Sequence, residues 1–138
     1  MMVSLNIIHN DIKADNICVV NNYNGSPYVT VIDFGLATEL GQILYNNNPV
    51  PEECRINQFW MAPEVLEGRV SNYHSDMYSL GVLFHWFFNL CLPRPLPRYL
   101  RTQLDTALHY YPSRRPHPTV LLNCLKEYKY SFDHGCGI

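Results

Sequence analysis

Two groups of polar residues near the start of the chain have the types and spacing that metal-dependent chemistry requires. One is the segment from His9 to Asn16, and the other is the tripeptide Asp33-Phe34-Gly35. Between them, β-branched runs at residues 17–20 and 28–32 flank a series of turn-forming residues, which predicts a β-hairpin. A hairpin brings its two ends together, so we expect Asn16 and Asp33 side by side, as shared chelation of a divalent metal ion requires.

Three motifs follow one another along the chain: His9-Asn10-Asp11-Ile12-Lys13-Ala14-Asp15-Asn16, Asp33-Phe34-Gly35 and Ala62-Pro63-Glu64. In this order they resemble the catalytic loop, the metal-binding turn and the end of the activation segment of a eukaryotic protein kinase. Each motif alone is weak evidence, whereas the ordered set makes coincidence a poor explanation. By this resemblance the chain is identified as a member of the protein kinase superfamily.

The resemblance implies a partial protein kinase domain that spans residues 1–138. Its expected fold class is α+β and mainly helical, the carboxy-terminal lobe with a small β-hairpin next to the catalytic loop. The amino-terminal lobe, with its glycine-rich loop and phosphate-gripping lysine, is expected to be absent. The implied parts are the catalytic loop 9–16, the metal-binding turn 33–35, the activation segment 33–64 and a helical subdomain 63–130.

The resemblance also implies roles for four residues in phosphoryl transfer from ATP to a protein hydroxyl. Asp11 would align the substrate hydroxyl by accepting its hydrogen bond, and Lys13 would hold the transferring phosphate of the nucleotide. Asn16 and Asp33 would provide oxygen ligands for Mg²⁺. Taken singly, each of these residues also has a plainer explanation as a loop cap, a turn residue or a solvated surface charge.

Three residues around the metal-binding turn are implied to be structural. Phe34 would pack beneath the turn, and Gly35 would leave the backbone free to change direction. His9 would stack against Phe34, although an ordinary packed histidine explains His9 almost as well.

Two acidic residues further along the chain are implied to hold the subdomains together. Glu64 would pair with Arg115, because a buried carboxylate and guanidinium favour a bidentate geometry. Asp76 would bind the backbone of the catalytic loop, although a plain helix N-cap explains Asp76 nearly as well.

The hydrophobic pattern downstream of the motifs predicts helices. A short helix over residues 63–67 is expected to stop at Gly68. An almost uniformly apolar stretch, 76–90, is typical of a central buried helix, with Ser75 or Asp76 as its N-cap. Residues 36–60 have no clear period and contain prolines, which indicates a long loop, whereas two amphipathic helices are expected over 98–111 and 118–128.

The sequence departs from the kinase pattern in ways that bear on regulation. Asn10 replaces the arginine that in many kinases pairs with a phosphorylated activation loop. Only Thr38 and Tyr45 lie between Gly35 and Ala62 as phosphate acceptors. We therefore expect that replacing both acceptors leaves any activity unchanged.

Signals for substrate class are mixed. Lys13, two residues after Asp11, resembles serine/threonine kinases, whereas Trp60-Met61 resembles tyrosine kinases. Asn57 occupies the position where serine/threonine enzymes usually carry threonine. The catalytic loop favours serine or threonine.

Composition limits the remaining possibilities. The 138 residues are 47% hydrophobic with a net charge of −2, which is typical of one globular domain and gives no reason to expect nucleic acid as a partner. The longest apolar run, residues 80–92, is interrupted by His85 and Asn89 and does not predict a membrane span. The five cysteines lack paired spacing, which favours reduced thiols, so a soluble cytoplasmic or nuclear protein is expected.

The first hypothesis for function is thus a protein kinase fragment that uses ATP and Mg²⁺ to phosphorylate a protein substrate. It would be active only when an amino-terminal lobe or another complementing or regulatory protein completes it. The alternatives are a catalytically inactive, pseudokinase-like interaction module and an unstable truncated fragment.

Overall fold

The computed structural model describes residues 5–91 and 95–133, and these form a mixed α+β structure with two small antiparallel sheets. This confirms the expected α+β class. The strands are β1 (Ile7–Ile8), β2 (Ile17–Asn21), β3 (Pro27–Val31) and β4 (Thr38–Glu39), and the helices are α1 (Pro63–Leu66), α2 (Tyr73–Cys91), α3 (Arg98–Ala107) and α4 (Pro118–Asp133).

The predicted hairpin is present as β2 and β3. The strands pair in antiparallel register, with Ile17 opposite Val31 and Asn21 opposite Pro27. The turn between them closes where the Gly25 N–H donates to the Asn22 carbonyl oxygen at 2.8 Å. Gly25 has φ +80°, a backbone conformation that residues with a Cβ rarely adopt.

A second strand pair includes residues 38–39, which lie in the stretch that the sequence predicts as a loop. The short strand β1 runs directly into the catalytic loop and pairs antiparallel with β4, Ile8 opposite Thr38. A 3₁₀ helix at Glu52–Gln58 adds further order to the same stretch. The prediction of a loop over 36–60 was wrong at these two places, because a two-residue strand and a 3₁₀ helix without buried residues leave no hydrophobic period.

The predicted short helix is present as α1, which ends just before the glycine expected to stop it. Gly68 has φ +73°, and a Cβ there would lie 3.0 Å from the backbone oxygen of Tyr45. Both conditions favour glycine at this position.

The three long helices pack around one apolar cluster, Met77, Phe88, Leu100, Leu104 and Leu121. Where α2 crosses α3, a Cβ on Gly81 would lie 2.9 Å from the Cβ of Ala107, so the close approach depends on glycine. Helix α3 ends before the predicted residue 111, and a 3₁₀ turn at Pro112–Arg114 follows it. Helix α4 continues to Asp133, beyond the predicted end.

Two predictions for α2 were wrong. The helix begins at Tyr73, so Ser75 and Asp76 lie inside its first turn rather than at the N-cap. The expectation of burial fails over much of the second half, where Phe88 is buried but Trp86, Phe87 and Leu90 are 53%, 45% and 66% exposed. The catalytic loop covers the amino-terminal half, and the described residues leave much of the other end uncovered.

Within residues 5–91 and 95–133, the structure has no helix that is both long enough and apolar enough to cross a membrane. Four cysteines in the same residues are free thiols: Cys18, Cys54, Cys91 and Cys124. The fifth, Cys136, lies outside the described residues, as do residues 92–94.

Candidate active site

A carboxylate of α2 binds the backbone of the catalytic loop. Asp76 Oδ2 accepts a hydrogen bond from the His9 backbone N–H at 2.8 Å, and Oδ1 accepts one from the Asn10 N–H at 2.9 Å. Burial raises the pKa of Asp76, while the two backbone donors oppose the rise. The contact that the resemblance implied for Asp76 is present, and it fixes the backbone that leads into Asp11.

His9 connects the loop to the end of the hairpin. Its Nε2 lies 3.1 Å from the carbonyl oxygen of Ile32, and its Nδ1 accepts the Asp11 backbone N–H at 3.2 Å. These partners fit a neutral imidazole that carries its proton on Nε2. The ring centroids of His9 and Phe34 are 4.8 Å apart, so the implied stacking contact is also present.

Asp11 is the best-connected carboxylate of the loop, and its side chain is only 10% exposed. Oδ2 accepts a hydrogen bond from Asn16 Nδ2 at 2.9 Å and lies 3.4 Å from Lys13 Nζ. Oδ1 accepts a hydrogen bond from the indole N–H of Trp60 at 2.7 Å. A cation and two neutral donors therefore contact this carboxylate.

Asn16 and Asp33 lie at neighbouring ends of the hairpin. The Ile32 N–H donates to the Asn16 carbonyl oxygen at 2.9 Å, which places Asp33 one residue beyond this contact. Asp33 itself is exposed, has φ +62°, and accepts the Gly35 N–H on Oδ1 at 3.1 Å. The backbone proximity matches the expectation from the hairpin.

The donor set fits a magnesium ion. Asn16 uses its Nδ2 on Asp11, which leaves its amide oxygen for a cation, and Asp33 Oδ2 makes no hydrogen bond within the described residues. Hard oxygen donors of this type suit Mg²⁺, which usually takes only one or two protein ligands. No cluster of three His, Cys, Asp or Glu side chains able to hold a metal occurs in the described ranges.

Gly35 completes the turn in a way that its lack of a side chain explains. A Cβ at this position would lie 3.0 Å from Oδ1 of Asp33, the atom that accepts the Gly35 N–H. A larger residue would press against the carboxylate that the turn presents.

Asn10 makes contacts that the sequence did not reveal. Its Nδ2 donates to the Leu36 carbonyl oxygen at 3.0 Å and to Thr38 Oγ1 at 2.9 Å. Asn10 has φ +64°, a conformation that asparagine tolerates better than most residues. The residue in place of the expected arginine thus joins the catalytic loop to the activation segment directly.

Glu64 and Arg115 form a fully buried bidentate pair. Arg115 Nη1 and Nη2 each lie 2.7 Å from a Glu64 oxygen, and the two side chains are 3% exposed for Glu64 and 0% for Arg115. Arg115 also donates to the carbonyl oxygens of His74, His109 and Tyr110. Ser75 Oγ donates to Glu64 Oε1 at 2.9 Å. The implied contact is present, and it joins α1 to α2 and to the turn before α4.

Trp60 is the functional candidate that sequence reasoning missed, since it was noted only for its likeness to tyrosine kinases. Lys13 Nζ lies 4.5 Å from its ring centroid, so Trp60 contacts both Asp11 and Lys13. Asn57, at the position where serine/threonine kinases usually carry threonine, is exposed, and its side chain makes no hydrogen bond within the described residues. A tryptophan close to Ala62-Pro63-Glu64 was the available signal, but nothing in the sequence indicates its partner.

Tyr45 lies near the same site and is half-buried. Its hydroxyl is 3.9 Å from the sulfur of Met61. Burial, followed by the negative charge of Asp11, raises the pKa of Tyr45.

Comparison with known proteins supports the same assignment. A family model described as "Protein kinase domain" matches residues 1–117. The chain is 38% identical over 78 residues to the serine/threonine-protein kinase pakA of Dictyostelium discoideum, which covers 56% of this chain. It is 30% identical over 107 residues, or 78% of its length, to the serine/threonine-protein kinase dkf-2 of Caenorhabditis briggsae.

A third relative is the dual specificity protein kinase shkA of Dictyostelium discoideum, 37% identical over 81 residues, or 59% of this chain. The matched regions make up only 6%, 8% and 14% of pakA, dkf-2 and shkA, respectively. The family match spans most of the chain and includes all three motifs and the anchored loop that presents Asp11. The chain therefore belongs to the protein kinase superfamily.

Proposed function

We propose that this chain forms the catalytic-loop part of a serine/threonine protein kinase. An amino-terminal lobe would complete it, and the completed kinase would transfer the γ-phosphate of ATP to a protein hydroxyl. The observation that carries the proposal is the Asp11 carboxylate, which is nearly buried and is held by Asn16, Lys13 and Trp60. Such a carboxylate can orient a hydroxyl group without having to reorganise.

The residues of the loop divide the remaining tasks between them. Asp11 accepts the hydrogen bond of the substrate hydroxyl, and the ammonium group of Lys13 contacts the transferring phosphate. Asn16 and Asp33 hold Mg²⁺, which neutralises phosphate charge when bound. Little covalent chemistry is required of the protein in this reaction class, so positioning of these groups is the main contribution.

Serine or threonine is the proposed acceptor. Lys13 pairs with the Asp11 carboxylate at 3.4 Å, which gives the loop residue typical of serine/threonine kinases a defined place beside the presumed base. Two of the relatives are serine/threonine kinases by name, and the third is a dual specificity kinase.

We further propose that activation-loop phosphorylation has little part in regulation. The Asn10 amide already binds the start of the activation segment at Leu36 and Thr38. Tyr45 is half-buried against Met61, which leaves its hydroxyl poorly placed for another kinase. A complementing lobe or regulatory protein is the proposed partner, in the reducing cytosol or nucleus, where free thiols such as those described here persist.

The proposal is tested by phosphate transfer from γ-labelled ATP with Mg²⁺ to peptides that carry serine, threonine or tyrosine. The longest translation product that contains this sequence is compared with the 138-residue chain. We expect transfer to serine and threonine by the longer product, none by the shorter chain, and loss of transfer in Asp11→Asn. Asp15→Asn, in the same loop but exposed, is the matched control. No Asp11-dependent transfer in the longer product would contradict the proposal and favour an interaction module.

A further inference from the structure

The Asp11 carboxylate has one hydrogen-bonding position without a partner among the described residues. An ionised carboxylate offers about four lone-pair positions, two on each oxygen. Asn16 and Lys13 both approach Oδ2, whereas Trp60 approaches Oδ1. One position therefore remains open, and it lies on the oxygen that the indole already holds.

The indole is itself held in place by the buried anchor of the activation segment. Trp60 lies four residues before Glu64, whose carboxylate is bound bidentately by Arg115. Met61 and Ala62, between them, are buried, and the Met61 N–H donates to the Gln58 carbonyl oxygen at 3.0 Å. A short segment that includes two buried residues thus connects Trp60 to the buried pair of Glu64 and Arg115.

The three side chains form a closed set of contacts. Trp60 donates to Asp11 at 2.7 Å, Asp11 pairs with Lys13 at 3.4 Å, and the Lys13 ammonium lies 4.5 Å from the indole ring centroid. A cation over the face of an indole ring is attracted by the ring's quadrupole. Rotation of the Asp11 carboxylate would break the indole hydrogen bond and weaken its pairing with Lys13 at once.

From this geometry we propose that Trp60 is a positioning residue for phosphoryl transfer: its indole N–H fixes the Asp11 carboxylate so that the remaining lone pair of Oδ1 receives the substrate hydroxyl. This inference rests on the proposed function and deepens it. The effect of Trp60 passes through Asp11, and no contact of Trp60 with substrate is required.

The first test examines orientation without any need for activity. The chain labelled with ¹⁵N gives two indole N–H signals, from Trp60 and Trp86, which are assigned with Trp60→Phe and Trp86→Phe. We expect the Trp60 signal to lie downfield and to shift in Asp11→Asn. The side-chain amide signals of Asn16, which report on Oδ2, should shift or broaden in Trp60→Phe.

Trp86→Phe is the matched control, because Trp86 lines the same pocket as Trp60 and its indole makes no hydrogen bond among the described residues. It should leave the Asn16 signals in place. Unchanged Asn16 signals in Trp60→Phe, or a Trp60 signal insensitive to Asp11→Asn, would overturn the inference. Comparison of the two variants' melting temperatures separates a loss of orientation from a general loss of structure.

The second test is kinetic and uses the active product defined above. Trp60→Phe should lower kcat by about tenfold or more, since small misplacement of a catalytic group is costly, while KM for ATP changes by less than about twofold. Trp86→Phe should leave kcat within about twofold. A normal kcat in Trp60→Phe would overturn the inference about Trp60 and leave the proposed function intact. Normal activity in Asp11→Asn would overturn the proposed function.

Discussion

The catalytic loop and the metal-binding turn are neighbours, yet the protein holds them by different means. Residues 9–12 of the loop are buried, and Asp76 binds two of their backbone N–H groups. In the turn, Asp33 is exposed and Phe34 is 51% exposed, and Asp33 bonds only to the backbone of its own turn within the described residues. Contacts within the chain therefore determine the orientation of Asp11, whereas the side chain of Asp33 is exposed and is held only by its own turn.

The largest expected effect comes from breaking the buried pair of Glu64 and Arg115, which holds the segment that contacts the catalytic loop. Arg115→Met leaves the Glu64 carboxylate buried without its cation, and we expect the free energy of unfolding to fall by about 3–5 kcal/mol. Urea denaturation followed by circular dichroism measures the loss. Arg114→Met is the control, because Arg114 is exposed and lies 5.8 Å from the ring of Tyr111.

A double variant sharpens this prediction. Glu64→Leu combined with Arg115→Met removes both charges, so it should unfold less readily than Arg115→Met alone if the stranded carboxylate causes the loss. Equal or greater instability of the double variant would instead attribute the effect to lost packing and lost backbone contacts.

The next largest effect is expected from the residue that fixes the catalytic loop. Asp76→Ala leaves the N–H groups of His9 and Asn10 buried without acceptors and should cost about 2–4 kcal/mol, reduced by the relief of a buried carboxylate. Hydrogen exchange at residues 9 and 10 should accelerate more than exchange in α4. The control is Glu127→Ala, an exposed acid on α4. Unchanged protection of the loop would show that Asp76 does not hold it.

A smaller effect is expected from pH. Burial, and then the charge of Arg115, lower the pKa of His74, and His117 acts in the same direction while Glu64 opposes it. Because the unfolded chain binds this proton more tightly, stability is fully present above about pH 6.5 and falls as acidification passes through the lowered pKa. In His74→Gln the difference in unfolding free energy between pH 8 and pH 5 should shrink. An identical pH dependence in both proteins would contradict this.

The smallest effect on stability is expected at the turn. Asp33→Ala should lower the free energy of unfolding by about 1 kcal/mol, because the side chain is exposed but Asp33 has φ +62° and accepts the Gly35 N–H. The same change should remove the broadening that Mn²⁺, as a probe for Mg²⁺, produces in the amide signals of residues 16 and 33–35. Asp15→Ala, exposed and next to Asn16, should keep that broadening. Retained broadening in Asp33→Ala would exclude Asp33 as a metal ligand, and strong destabilisation would abolish the contrast between loop and turn.

Local patterns were enough to predict much of the fold. The hairpin follows from two β-branched runs around a glycine turn, and the helices follow from their apolar spacing, since both depend on residues near one another in the chain. Helix ends were less accurate: α2 begins at Tyr73 rather than at 76, and α3 ends at Ala107 rather than at 111. Burial was predicted along the whole of α2 but fails over much of its second half, because composition does not show which neighbours cover a helix.

For the site, the family resemblance implied which residues would carry the chemistry and which would hold them in place. The resemblance implied the pairing of Glu64 with Arg115 and the contact of Asp76 with the loop, and both contacts are present. Catalysis by Asp11 and Lys13, and metal binding by Asn16 and Asp33, stay predictions that the experiments above address.

The sequence by itself determined the family, the hairpin and the order of the helices, because these depend on residue type and short-range spacing. Tertiary structure alone decided that Trp60 reaches Asp11 across 49 positions and that Asn10 reaches Thr38 across 28. It also decided that Asp11 is enclosed while Asp33 is exposed. A hydrogen bond over such separations depends on where the packed elements place two side chains, and no local pattern of residues encodes that distance.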